Sequence, residues 1–195
     1  ICDCFVSINM KKALFIGGTG TISTAISKRI AQSDEWELYV LNRGSRNNIL
    51  PPNVHSIVVN DVNDEAEVTK ALNGLSFDCV CDFICFVPSQ IERDYRIFKR
   101  ITKQFMFISS ASAYQKPLGN YVINEGTPLA NPYWQYSRDK IACEDFLMKK
   151  YREEQFPITI IRPSHTYDER SIPLGKKKKN GSWQVVKRML EGKPV

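Results

Sequence analysis

Histidine is the rarest residue in this chain, with only His55 and His165 among 195 positions. Neither stands beside a cysteine or a second histidine, which removes the usual zinc ligand pairs, and no metal site is expected. No Gly-x-Ser-x-Gly elbow occurs, and His55 is expected to open a strand, so a Ser-His-Asp hydrolase is set aside. Apolar runs are short: none approaches the roughly 20 residues that span a bilayer. The opening "ICDCFVSINM" lacks the basic start and long apolar centre of a secretory signal. Met10 before "KKALFIGG" reads as a natural beginning, with residues 1–9 as a leader or remnant. Of six cysteines, Cys79 and Cys81 lie in the apolar run "FDCVCDFICF", where free thiols act as small hydrophobes. A reduced, cytoplasmic protein is expected.

An acidic balance is also missing, since the net charge is +6. Four of those charges are Lys176, Lys177, Lys178 and Lys179 in "GKKKKNGS", a run that reads as a solvated loop. Setting them aside leaves about +2, too little to argue for nucleic acid.

What is present is alternation. The runs at 12–17, 36–42, 54–59, 77–86, 104–109 and 157–163 are rich in β-branched and aromatic residues and read as six strands. Between them, "TISTAISKRIAQS", "DEAEVTKALNG", "SQIERDYRIFKRI" and "YSRDKIACEDFLMKKYREE" repeat apolar residues at helical spacing. Ser89 with Glu92 suggests a capping box for the third helix. Strand–helix alternation of this kind predicts right-handed β-α-β units in an α/β, doubly wound, Rossmann-type parallel sheet of order 3-2-1-4-5-6. The expected domain covers 10–168. Residues 169–195 read as the start of a truncated substrate-binding region, with a short helix around 182–191.

The stretch "ALFIGGTGTIST" (13–24) places three glycines between a strand and a helix. Gly17 suits the tight turn, and Gly20 lets backbone approach a pyrophosphate facing the N–H groups of the next helix. Ser23 holds the third fingerprint position, and slightly looser helix–sheet packing is expected there. At the end of the second strand, "YVLNRGSRN" offers Asn42 where a carboxylate usually holds a free ribose 2′-hydroxyl. Arg43, with Arg46 nearby, suits a 2′-phosphate, which favours NADP over NAD; plain surface arginines are the alternative. Asp61 could accept from an adenine amino group or cap the following helix.

A second group of residues lies further on. "FISSASAY" (107–114) ends the fifth strand, and Tyr136 and Lys140 are four apart on the next helix, so they share a face. An ammonium beside a phenol lowers its pKa from about 10 toward neutrality, which suits a proton acceptor.

These segments together resemble the extended short-chain dehydrogenase/reductases of the NAD-dependent epimerase/dehydratase family. "IGGTGTIS" is similar to the Thr-Gly-Gly-Thr-Gly-Tyr-Ile-Gly opening, "NDV" to the adenine-contacting pair, "FISSASAY" to Ser-Ser-Ser-x-x-Val-Tyr, "YSRDK" to the Tyr/Lys segment and "IIRPSHTYD" to Arg-Pro-x-x-x-Tyr-Gly. The resemblance runs from about Met10 to Asp168. It implies Ser110, Tyr136 and Lys140 as catalytic residues. It implies cofactor contacts from Gly17, Thr19, Gly20, Thr21, Ile22, Asn42, Arg43, Asp61, Val62, Phe83, Ile84 and Cys85, with Pro163 and His165 bordering the nicotinamide.

Ala111 and Ser112 stand where sugar dehydratases of the family carry an Asp-Glu pair, which points to epimerisation or carbonyl reduction rather than elimination. A nucleotide-sugar substrate and a homodimer through the third and fourth helices are implied. A non-catalytic, cofactor-sensing or RNA-binding member of the same fold is the alternative; no stacking-aromatic RNA motif supports it.

Overall fold

The computed structural model describes residues 10–168 and 183–194. Residues 1–9, expected as a leader, the lysine run and most of the expected C-terminal region fall outside the described residues. The chain divides into two compact units, the first ending at Ser164 and the second beginning at His165.

The first unit holds six parallel strands: β1 (Lys11–Ile16), β2 (Trp36–Asn42), β3 (His55–Val58), β4 (Cys79–Asp82), β5 (Phe105–Ile108) and β6 (Ile158–Ile161). Their order is β3-β2-β1-β4-β5-β6, as the alternation predicts. Four helices connect them: α1 (Ser23–Ile30), α2 (Glu65–Ala71), α3 (Pro88–Phe98) and α4 (Gln135–Glu154). The second unit contributes α5 (Trp183–Leu190).

The strands are continuous in apolar residues because both faces of the sheet are covered. Leu14 and Ile16 point into one layer with α2, α3 and α4, where Phe98, Phe105 and Phe107 are wholly buried. Ala13 and Phe15 point the other way, with Val40, Cys81 and Ile108, against Ile22 and Ile30 of the α1 segment. Cys79, Cys81, Cys85 and Cys143 are all free thiols and buried.

Two local expectations are corrected. The fourth strand spans four residues, not the ten of its apolar run. Asp82 Oδ1 accepts a hydrogen bond from the Ile84 amide at 2.7 Å, turning the chain out of the ladder and leaving 83–87 as a loop. At α3 the first residue is Pro88, so the third helical position falls on Gln90. Its side-chain oxygen accepts from the amides of Phe86 (2.7 Å) and Val87 (3.3 Å), doing what Ser89 and Glu92 were expected to do.

Candidate active site

The glycine turn is fixed by its neighbours. Gly17 has φ +80°, and its amide donates to the Leu41 carbonyl at 3.0 Å. A Cβ on Gly17 would stand 2.5 Å from Ile84 Cγ2, and one on Gly18 would stand 2.8 Å from Val40 Cγ2. Ser23 does not loosen the turn. It is fully buried, accepts from the Gly20 amide at 2.8 Å and donates to the Gly17 carbonyl at 2.7 Å. Thr24 and Ser27 hydroxyls hold the carbonyls of Gly20 and Gly18 at 2.7 and 2.9 Å. The α1 N-cap, Ile22, provides no side-chain cap, and the first turn carries no acidic residue. An anion placed there would meet the positive end of the helix dipole.

Beside the turn, at the carboxyl ends of the strands, lies an open cleft of about 440 Å³. It brings together Gly17, Thr19, Gly20, Asn42, Arg43, Asp61, Val62 and Ile84. Ser45, Arg46, Asn63, Phe86 and Gln90 line it too. Of these only Arg46 carried a signal in the sequence; Asn63 and Gln90 meet through a contact 27 residues apart (3.0 Å) that no local pattern reveals. A comparable cleft of about 410 Å³ sits at the opposite ends of the strands, beside an Asp78–Lys103 ion pair (2.6 Å). In open α/β sheets ligands bind at the carboxyl ends, so the first cleft is the candidate site.

Asn42 is committed internally. Its Oδ1 accepts from the Gly44 amide and its Nδ2 donates to Asn47 Oδ1, both at 2.7 Å. Arg43 is exposed and Arg46 half-buried on the wall of the cleft. Asp61 does not cap α2; Asp64 does, accepting from the amides of Ala66 and Glu67 at 3.0 Å. Asp61 accepts from the amide and side chain of Asn63 (2.8 and 2.9 Å), and those hydrogen bonds hold its carboxyl below the usual range.

Past the carboxyl ends of β4 and β5, Lys140 is almost fully buried. Its Nζ donates to the carbonyls of Cys85 (2.6 Å) and Ile108 (2.7 Å), and lies 5.6 Å from the centre of the Tyr136 ring. The rings of Phe86 and Phe107 also face it, at 5.0 and 4.8 Å. Burial pushes the Lys140 pKa down; the groups opposing it are led by Cys85 and Asp82. Tyr136 is half-buried between Trp134 (4.8 Å) and Phe86 (6.5 Å). Ser110 opens a 3-10 turn (Ala111–Ala113) and accepts from the Ser112 amide at 3.2 Å.

Several expected residues are not in the lining of that cleft. Phe83 packs edge-on against Phe15, Ile22 joins that same layer, and the Cys85 thiol is wholly buried, its carbonyl alone serving Lys140. Thr21 is exposed at the turn. Pro163 follows β6 and accepts from the Ala111 amide at 3.0 Å, while His165 belongs to the second unit.

Sequence reading missed a buried polar clamp. Glu144 of α4 accepts three hydrogen bonds from Arg162, the shortest 2.6 Å, and one from Ser109. Arg162 also donates to Tyr114 at 3.2 Å. Ser109 and Arg162 flank Ser110 and Pro163 in sequence, so the clamp fixes both strand ends.

A six-stranded sheet of this order, with a glycine turn and a cleft at its switch point, is the Rossmann-type α/β architecture. The profile of the NAD dependent epimerase/dehydratase family matches residues 13–195, and the chain belongs to that family. No curated relative matches it. Among solved structures it is similar to Pal from Bacillus thuringiensis (21% identity, TM-score 0.69, 92% of this chain and 64% of that one). It is also similar to UDP-glucuronic acid 4-epimerase from Bacillus cereus, solved with NAD (18%, 0.68, 94% and 65%). A third is UDP-N-acetylglucosamine 4-epimerase from Methanobrevibacter ruminantium (18%, 0.65, 94% and 64%). The chain thus spans about half to two-thirds of the length of such structures. Among the described residues no helix is long and apolar enough to cross a membrane.

Proposed function

We propose that this chain carries the cofactor-binding and proton-transfer parts of an NAD(P)-dependent, epimerase-like oxidoreductase acting on a nucleotide-sugar or a related hydroxyl or carbonyl compound. The supporting observation is Lys140: a buried ammonium held by the carbonyl of Cys85 in the 83–87 loop and that of Ile108 at the end of β5, beside the Tyr136 ring. Two of its N–H groups are occupied by those carbonyls. The glycine turn fits a dinucleotide, since Gly17 and Gly18 leave no room for side chains and α1 presents an uncapped N-terminus.

A bound nicotinamide supplies hydride transfer at the substrate carbon. The chain's own residues handle the proton. Ser110 orients the substrate oxygen, the Lys140 charge stabilises the phenolate form of Tyr136, and that phenolate accepts the substrate's proton to become the phenol. Ala111 and Ser112 provide no acid/base pair for eliminating water, which favours epimerisation or reduction.

NADP is the preferred cofactor in this reading, because Asn42 is spent within its own turn while Arg43 and Arg46 line the cleft. Calorimetric titration with NADPH, NADP⁺, NADH and NAD⁺ tests it. NADPH binds more tightly than NADH, and Arg43→Ala removes about tenfold of the NADPH affinity, the worth of one charged hydrogen bond. Tyr136→Phe lowers turnover by about 10²–10⁴-fold with dinucleotide affinity kept. Equal turnover in that variant removes Tyr136 from the mechanism.

A further inference from the structure

Beneath the 83–87 loop, two carboxyl groups face each other in the interior. Asp82 ends β4 and Asp94 lies on the inner side of α3; they are 0% and 1% exposed. Each commits one oxygen. Asp82 Oδ1 accepts from the Ile84 amide at 2.7 Å, and Asp94 Oδ1 accepts from Arg93 Nε (2.9 Å) and Nη2 (2.6 Å). The second oxygen of each, Oδ2, is enclosed and has no hydrogen-bond partner. One carboxylate oxygen each of Asp82 and Asp94 and the Cys85 sulfur all lie within 4.8 Å of one another. Two ionised carboxylates that close, away from water, repel each other strongly, and a single shared proton both removes a charge and joins the two bare oxygens.

We propose that Asp82 and Asp94 hold one proton between them, and that this acid pair positions Lys140 from below. Asp82 shapes the loop whose Cys85 carbonyl grips the ammonium, and its remaining charge faces that ammonium. Asp94, anchored by Arg93, keeps Asp82 in place. Arg93 is itself tied to the cleft through Asn63 Oδ1 at 2.7 Å. Burial and the Asp82 charge raise the Asp94 carboxyl well above the usual range, with Arg93 opposing. The other titratable groups around the pair are the Cys85 and Cys143 thiols, Lys140 and Glu144. The positioning role rests on the function proposed for Lys140; the shared proton does not.

Infrared spectroscopy of the full chain at pH 7, in H₂O and D₂O, tests the proton directly. A protonated-carboxyl stretch that shifts in D₂O is expected in the wild type and absent in Asp94→Asn, whose amide supplies a permanent donor to Asp82. Because the Asp94 carboxyl is raised, the stability given by the shared proton is present at low pH and lost as pH rises through that raised midpoint. The stability difference between wild type and Asp94→Asn therefore falls across that range. For positioning, Asp94→Leu lowers turnover by about 100-fold, the cost of displacing a reacting group by about an ångström, and Asp94→Asn restores most of it. If Asp94→Leu does not fold, Asp82→Asn replaces it, with dinucleotide affinity kept and turnover lost. Absence of the infrared band in wild type, or one tightly held divalent metal per chain in its place, overturns the shared proton. A wild-type band together with full turnover in Asp94→Leu or in Asp82→Asn overturns the positioning. An inactive wild type that shows the band refutes the proposed function and the positioning role together and leaves the proton standing.

Discussion

Lys140 combines a charge with nearly complete burial, and its protonation should show in stability as well as chemistry. Burial lowers its pKa from 10.5, so in the interval just below that value the unfolded chain binds more protons than the folded one. Stability from this group therefore rises with pH across the interval and is flat at acid pH, where both states are protonated. Lys140→Met keeps the aliphatic stem and removes the titration. Urea denaturation at a series of pH values should show wild type gaining on the variant as pH rises; a constant difference would mean that Lys140 titrates normally. The sequence disclosed this lysine through its spacing from Tyr136. It did not disclose the Cys85 and Ile108 carbonyls that hold it, because backbone acceptors have no residue signature. Asn42 was legible as a position and misleading as a role: only the fold shows its amide closed on Gly44 and Asn47.

Elements were readable wherever period and punctuation agreed. β2 spans the predicted residues, and α4 starts one residue before its predicted range, because long patterned runs leave little choice. The end of β4 was not readable. An apolar run looks the same whether it continues as strand or turns through an Asx hydrogen bond, as at Asp82. That turn brings Ile84 against Gly17, so the β1–α1 turn and the 83–87 loop depend on each other. Gly17→Ala carries two penalties: about 1–2 kcal/mol for an L-residue in the left-handed region, and a Cβ only 2.5 Å from Ile84 Cγ2. Adding Ile84→Ala removes the second penalty and leaves the first. Thermal denaturation of the two singles and the double should therefore give a non-additive cycle, with the double less damaged than the sum. Strict additivity would show that the loop moves aside freely, and that its contact with Gly17 does not shape the cleft.

Across the first unit, the polar clamp joins pieces that the apolar core leaves loosely tied. β6 is an edge strand whose residues are only partly covered, and its ladder with β5 holds one side. Glu144 and Arg162 add a charged tie from α4 to the ends of both strands, with Ser109 and Tyr114 completing it. Glu144 is 1% exposed, and hydrogen bonding to it raises the Arg162 pKa. Removing one partner of such a pair strands the other charge in the interior, at about 3–5 kcal/mol. Against a total stability of about 5–15 kcal/mol that is a large fraction. Arg162→Met and Glu144→Leu should each show this loss as a lower urea midpoint. The double variant, with no charge left unpaired, should regain much of it. Tyr136→Phe serves as the control, since it lies outside the clamp and should leave the midpoint unchanged. Losses below about 1 kcal/mol in both singles would mean that solvent reaches the pair and screens it as at a surface. Ser110 and Pro163 would then owe their placement to the β5–β6 ladder and the Ala111 amide alone.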